Sequence, residues 1–566
     1  MKVGMMLIVL VPLLPLLAAI IVLIAEPERQ YERAKLGVLT LAAAFIGSLI
    51  TLGVVTSHGA ISIRFYDPSS IANLALPLGF YIDRLSAVLM VLISGIGTII
   101  YHYSVNYMYQ DRGYARYLAL VAFTTFALLC MVSSINLMML FVCWQSLSYS
   151  LSLLAHNLSH AATLAGAFRT FTLLRVGDVA FLAGIVLAHS LYGTIEYHEL
   201  FTRAADTPVT LSPLPGVELS GATAVTLLLF IGAMSKSAQV PLHIWLPSSL
   251  YAPTPIHALL HAGIINAGGF LINRLAPLYG LSSTTLHVAF IIGALTALLG
   301  ATMMLTQNDI KKTLGFSTIG QMGYMIMECG LGAFSLAVFH LIAHGLFKAT
   351  VFLNCGNVIH KARQEPSFPR ADPEEEESHF SKLTWSTGFV TTLLLPLVIL
   401  LVTHGVLSIP LLESQGTVIF LFFIWVTSSQ AILSLTRIHA VASWKISAAM
   451  LLTLLLVVFT YLFAVESFTH FLYPDPTVVA SYFQAAALPG RLFDILVIGT
   501  TVLILLGWFY LYARAHGRTI HMPAWIEGLS ARLYVLFMNR LYLDWLYLKL
   551  GRGITLVAHR VEKRLS

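Results

Sequence analysis

Between residues 3 and 513 the chain repeats one pattern: runs of about 20 apolar residues, the length of helix that crosses a hydrocarbon slab, divided by short charged loops. In lipid every backbone N–H and C=O must be satisfied within the protein, so such runs fold as α-helices. Spans are expected near 3–25, 34–55, 79–108, 116–134, 136–156, 162–190, 221–245, 251–278, 283–303, 309–328, 331–360, 384–407, 413–436, 446–467 and 492–513, about fifteen in all. The expected class is an all-α polytopic membrane protein. Only 10% of the 566 residues are charged, against about 25% in a soluble domain. The first run has no basic segment beyond Lys2 and no convincing cleavage site, so it reads as a retained span rather than a leader.

Lys and Arg set the orientation. With the N-terminus outside, the inner loops hold Arg29, Arg33, Lys35, Arg112, Arg116, Lys311, Lys312, Lys361, Arg363, Arg370, Lys382, Arg437 and Lys445. The outer loops hold little beyond Arg64, Arg203 and Arg274. This asymmetry accounts for the net charge of +6. No basic patch is interleaved with exposed aromatics, so nucleic acid is not expected as a partner. The tail after Arg514 mixes Arg and Lys with Trp, Tyr and Leu, a pattern suited to an interfacial amphipathic helix on membrane lipid or to a weak final span. The acidic run Glu374–Glu377 reads as a solvated linker. Cys130, Cys143, Cys329 and Cys355 stand singly in apolar runs, which gives zinc, iron–sulfur and haem readings no support. No glycine-rich nucleotide loop is present, and glycines within spans read as close helix packing.

Few ionisable groups remain at membrane depth. The stretch IGAMSKSAQVPLHIWLPSSLYAPTPIHALLHAG, residues 231–263, carries Lys236, His243, His257 and His261 and is broken by Pro241, Pro247, Pro253 and Pro255. An ammonium in hydrocarbon costs roughly 2.5–3.5 kcal/mol on insertion scales and is a functional hypothesis by default. Broken helices survive at depth only where they line a cavity or are buried in protein. Arg175 and Asp178 share TLLRVGDVAFLAG, and His340, His344 and Lys348 step by four along AVFHLIAHGLFKAT, so the three project in nearly one direction. Burial favours the neutral amine and a nearby carboxylate the ammonium, so a lysine between the two influences can exchange protons. Histidine, titrating near about 6.5 when unperturbed, is the natural relay. Blander roles compete: His243 beside Pro241 satisfying freed carbonyls, Asp178 neutralising Arg175. A metal site built from His257, His261, His340 and His344 lacks a nearby cysteine or carboxylate at ligand spacing, and none is expected.

These residues, in this order, resemble the large antiporter-type subunit of respiratory complex I, the subunit L family shared with Mrp antiporters and membrane-bound hydrogenases. YIDRLSAVLM, HYSVNYM, FRTFTLLRVGDVAF, the broken stretch, NDIKKTLGFSTIGQMGYM and FHLIAHGLFKATVFLNCGNVIH carry the resemblance from about residue 80 to 360, and NRLYLDWLYLKL matches near the end. The resemblance implies two inverted five-helix repeats with broken helices. It makes Lys236 the channel lysine, His261 its relay, Lys311 the basic residue toward the cytoplasm and Lys348 the central lysine. It implies helices over 1–110, a first repeat over 111–280, a second over 281–440, further helices over 441–515 and an interfacial tail over 516–566.

Departures matter as much. Where the family carries a glutamate that pairs with the channel lysine, FVCWQSLSYSLSLL has Gln145, which leaves Asp178 as the expected carboxylate partner of Lys236. The family's last lysine is replaced by His404, the exit candidate. Complex I members continue past the terminal motif into a long lateral helix, and a member without that extension is expected here. Such a member looks most like the DabB family, whose resemblance implies a bacterial inner-membrane subunit carrying protons to a cytoplasmic DabA-like zinc partner that hydrates CO2 to bicarbonate. No cofactor is expected in this chain, since nothing in it can activate a zinc-bound water. A proton-pumping subunit of a redox complex, a cation/proton antiporter component and a scaffold with a dead channel are the other readings.

Overall fold

The computed structural model describes residues 2–65, 78–154, 161–248, 253–307, 309–364, 463–491 and 524–565, with scattered positions between 452 and 506. Its long helices are α1 (Lys2–Leu23), α2 (Gln30–His58), α3 (Arg84–Tyr107), α4 (Tyr114–Val132), α5 (Leu137–Leu154) and α6 (Ala161–Tyr192). The short α7 (Tyr197–Asp206) precedes α8 (Gly221–Lys236). Then come the short pieces α9 (Trp245–Ser248), α10 (Thr254–Ala262), α11 (Ala267–Arg274) and α12 (Ala276–Tyr279). The long α13 (Ser283–Leu305), α14 (Ile310–Gly330) and α15 (Phe334–Gln364) follow. Among the described residues eight helices are long and apolar enough to cross a membrane. The expected spans at 384–407 and 413–436 lie outside the described residues, and those at 446–467 and 492–513 are described only in part.

Local chemistry explains the helix starts. Asp83, Ser220 and Ser282 each stand just before a helix and accept a backbone N–H from its first turn, at 2.9 Å from Ser86, 3.1 Å from Thr223 and 3.2 Å from Thr285. Exposure is inverted relative to a soluble protein: Leu39, Val179, Val186, Leu298 and Phe347 face outward while Ser, Thr, His and Lys are buried. That is the arrangement lipid favours. Glycines permit the closest approaches. A Cβ on Gly177 would lie 2.2 Å from the Ser235 Cβ, so α6 and α8 meet nearly backbone to backbone.

Three refinements to the sequence expectation emerge. The loops between spans are not wholly irregular: β1 (Ile61–Arg64) pairs antiparallel with β2 (Gly79–Ile82), and β3 (Thr210–Leu214) with β4 (Val217–Ser220). The span drawn over 221–245 stops at Lys236, because Ser237 caps it and Ala238 takes a left-handed φ of 50° that a helix cannot continue through. The span drawn over 251–278 is real but broken, passing through a 3-10 turn at Ile264–Asn266, and it is wholly buried in protein. Breaking there is tolerated because no lipid touches the freed backbone.

The chain divides into two compact units. One comprises Met1–Met327, His340–Asn357 and Pro523–Ser566, the other Glu328–Phe339 and Val358–Met522. In the second, the Phe334 and Tyr482 rings meet edge-on at 5.0 Å and the Ser335 and Thr469 hydroxyls at 2.7 Å. In the first, the terminal motif, residues 539–550, follows α16 (Ala524–Met538) and runs into α17 (Leu543–Leu565). Asp544 receives Arg169 of α6 at 2.6 Å, and Tyr547 donates to the Pro241 carbonyl at 3.2 Å.

The strongest tie in the first unit was missed by the sequence reading, which left Arg274 in an outer loop. Its guanidinium is buried and grips both oxygens of Asp83 at 2.6 and 3.1 Å and the Ser86 hydroxyl at 2.5 Å, joining α11 to the start of α3. Removing one partner of a buried pair strands the other's charge. Asp83 keeps 27% exposure, so Arg274→Gln should cost about 3 kcal/mol, the low end for such pairs. The loss would appear as a lower thermal midpoint in detergent, partly recovered by adding Asp83→Asn. An unchanged midpoint would show that the clamp carries no stability.

Candidate functional site

Lys236 is the last residue of α8 and is fully buried. The break that follows fixes its place. Trp245 Nε1 donates to the Ser235 carbonyl at 2.9 Å, Ser237 Oγ donates to the Ile265 carbonyl at 2.6 Å, and the Val240 N–H is taken by Thr296 at 3.1 Å. With the helix ended, the lysine side chain crosses to α5. Its Nζ donates to the Trp144 carbonyl at 3.0 Å and to Ser148 Oγ at 2.5 Å, and it lies 4.8 Å from the centre of the Trp144 ring.

Asp178 sits on the far side of Trp144. Its Oδ1 accepts the Trp144 indole N–H at 2.7 Å, and its Oδ2 lies 2.7 Å from Arg175 Nη2. Arg175 also donates to Gln145 Oε1 and lies over the Phe171 ring at 4.7 Å. The expected Lys236–Asp178 pair is therefore mediated. Trp144 gives its carbonyl to the lysine and its indole N–H to the carboxylate, and among the described residues Lys236 forms no direct ion pair. The carboxylate is committed to Arg175, and Gln145 is occupied by the same guanidinium. All are close enough for Asp178 and Arg175 to act electrostatically on Lys236.

A second cluster forms where α10 meets α14 and α15. His257 and His261 both stack on Phe352, the latter at 4.5 Å with rings 8° apart, and His344 and Lys348 are near enough to act on His261 electrostatically. Lys348 is buried and donates to Ser317 Oγ at 2.9 Å. His340, half-buried, shares a hydrogen bond with Gln321 Oε1 at 3.0 Å, and its ring lies 5.3 Å from that of Tyr324. The His344 ring nitrogens and the His261 Nδ1 are buried with no hydrogen-bond partner among the described residues. Buried polar atoms are nearly always paired with protein or ordered water, so these rings mark a place where water belongs.

The sequence-predicted residues thus fall into two groups: Lys236 with Asp178, and His261 with His344, Lys348 and His340. Lys311 is half-buried in the first turn of α14, six residues before Ser317. His404 lies outside the described residues. Sequence reasoning missed Trp144, Ser148, Ser317 and Gln321, each a neutral partner of a predicted group. Among the described residues no group of three or more His, Cys, Asp or Glu is arranged to hold a metal ion.

Comparison with known proteins fits this geometry. Residues 134–436, more than half of the chain, match the family described as NADH:quinone oxidoreductase/Mrp antiporter, TM, and residues 69–118 match the N-terminal family of complex I chain 5. A protein named "probable inorganic carbon transporter subunit DabB1" from Halothiobacillus neapolitanus is 39% identical over 95% of this chain and 95% of its own. The NADH-quinone oxidoreductase subunit L of Neisseria meningitidis is 38% identical over 51% of this chain and 44% of its own. In fold, the chain is similar to one in the Mrp complex from Dietzia (TM-score 0.56, 20% identity, 97% of this chain and 63% of that one). It is also similar to one in respiratory complex I from Thermus thermophilus (TM-score 0.57, 20% identity, 85% and 100%). The chain belongs to the NADH:quinone oxidoreductase/Mrp antiporter family of membrane subunits, and resembles a DabB-type member over nearly its whole length.

Proposed function

We propose that this chain is the proton-conducting membrane subunit of an energy-coupled inorganic carbon accumulation complex. It would drive a DabA-like, carbonic-anhydrase-like zinc partner on the cytoplasmic face of a bacterial inner membrane. The observation that carries this reading is the near full-length similarity to the Halothiobacillus protein. The buried lysines give it a mechanism. Lys236 and Lys348 are held by hydroxyl and carbonyl oxygens rather than by carboxylates. Neutral acceptors leave the neutral amine accessible, which a fixed ion pair would not.

The proton path on this reading starts at Lys236, steadied by Asp178 through Trp144, and continues by way of His261 to the axis of His344, His340 and Lys348. Lys311 links that axis to the cytoplasm, and His404 is the exit. Water completes the steps too long for direct contact. The driving force suffices. A charge crossing about 100 mV releases about 2.3 kcal/mol, so roughly two charges shift a partner's equilibrium more than a thousandfold. The 38% identity to subunit L supports a second reading, a pump subunit of a redox complex.

Two measurements test the proposal. In cells whose growth at air-level CO2 depends on this chain, Lys236→Ala and Lys348→Ala should each lower inorganic carbon uptake to that of cells lacking the gene, at unchanged membrane levels. Wild-type uptake at normal levels would remove the proton path. Affinity purification from mild detergent should recover a large zinc-containing soluble protein. Recovery of iron–sulfur or quinone-site subunits instead would place the chain in a redox complex.

A further inference from the structure

We infer that Ser148 is the immediate proton-transfer partner of Lys236, and that Ser152, one turn further along α5, is the next hydroxyl toward the surface. The inference rests on the proton-conducting reading above and assigns the reversible exchange of protons between Lys236 and the end of α5, a limb separate from the one through His261, to residues outside the expected path.

Four serines alternate along α5 in QSLSYSLS. A serine inside an apolar helix ordinarily spends its hydroxyl on the carbonyl four residues back. Three of the four do so at normal length: Ser146 to Val142 at 3.0 Å, Ser150 to Ser146 at 2.8 Å and Ser152 to Ser148 at 2.9 Å. Ser148 differs. Its contact with the Trp144 carbonyl stretches to 3.3 Å, and that carbonyl is also taken by Lys236 at 3.0 Å. Its hydroxyl oxygen instead receives the lysine at 2.5 Å, in a fully buried position. No carboxylate competes, since Asp178 is held by Arg175 and Trp144, and Gln145 is neutral.

A hydroxyl can accept one proton while giving up another, so Ser148 can do what an amide or an indole cannot. In the step proposed, an N–H bond of Lys236 breaks and an O–H bond forms at Ser148 Oγ. The original Ser148 proton passes to a water, and the lysine is left neutral. One positive charge has moved one place with no change of oxidation state. Residues four apart on a helix lie about 6 Å apart at their Cβ atoms, a gap one water bridges, which brings the proton to Ser152. That residue is half-buried near the end of α5, where exposed Arg116 reaches the Leu153 carbonyl at 3.4 Å. The line Lys236, Ser148, Ser152 therefore leads from the buried amine to the helix end that Arg116 reaches.

The test measures potential-driven proton uptake, with a pH-sensitive dye, in inverted membrane vesicles from cells expressing the full chain with its natural partners. Wild type, Lys236→Ala, Ser148→Ala, Ser148→Thr and Ser152→Ala are compared at matched membrane levels. Ser148→Ala should lower the flux roughly a hundredfold, the lower end of what a positioned proton-transfer group contributes. Ser148→Thr, which keeps the hydroxyl, should retain most of it, and Ser152→Ala should fall between. If Lys236→Ala abolishes flux while Ser148→Ala carries wild-type flux, or if Thr is as poor as Ala, the relay is wrong and the lysine path stands. If Lys236→Ala itself conducts like wild type, it is the proton-conducting reading that fails.

Discussion

A lysine buried without a carboxylate against it is the constraint around which the first unit is arranged. Desolvating an ammonium costs several kcal/mol even after relaxation, and two neutral oxygens recover only part of that. The structure meets the cost by geometry. α8 ends at Lys236, so the side chain leaves the helix axis free to reach α5. Behind it Thr254–Arg274 is buried in protein, and Thr296, Ser235, Ser237 and Ile265 satisfy groups that lipid would have left bare. Gly177 lets α6 close on α8 beside Ser235, the residue before the lysine. The break, the glycine contact and the terminal motif's hydrogen bond to Pro241 all fix one amine in place.

Trp144 gives this arrangement its electrical character. A direct Lys–Asp pair would hold the proton on the nitrogen. Interposing an indole keeps the carboxylate one hydrogen bond away from the lysine, with Arg175 as its ion-pair partner. Asp178 with Arg175 is close to neutral as a pair, so the site's exchangeable charge is the lysine's own. The second cluster follows the same logic with different parts. Lys348 faces Ser317, His340 faces Gln321, and the histidines stack on Phe352 rather than meeting acids. Both clusters hold their titrating groups with neutral dipoles.

Much of this was legible in the chain. Apolar runs of membrane length identify helices because lipid leaves the backbone no other option, and prolines at 241, 253 and 255 mark the region where the structure breaks. The intramembrane amines and imidazoles stood out because they are costly. What the sequence concealed is of two kinds. Helix ends inside the broken region depend on single residues such as Ala238, whose left-handed backbone has no sequence signature. The partners of the charged groups are Ser, Trp and Gln, residues common in spans for ordinary reasons, and only their contacts separate Ser148 from Ser146 or Ser150. Arg274 was misplaced because charge alone cannot distinguish an arginine facing water from one folded back onto Asp83.

The same physics separates the working and inert versions of this architecture. Replacing a channel glutamate by Gln145 looks, in sequence, like the loss of the countercharge a transfer lysine needs. In the structure the amide accepts from Arg175, and Asp178 meets Trp144, the lysine's neighbour, through the indole N–H. An inert channel would be expected to shed its unpaired amine, because an ammonium with no task is a standing cost in hydrocarbon. Among the described residues this chain instead keeps two such amines and gives each a serine hydroxyl. A hydroxyl both accepts and donates a proton, so the replacement of the glutamate by Gln145 is compatible with a channel that conducts.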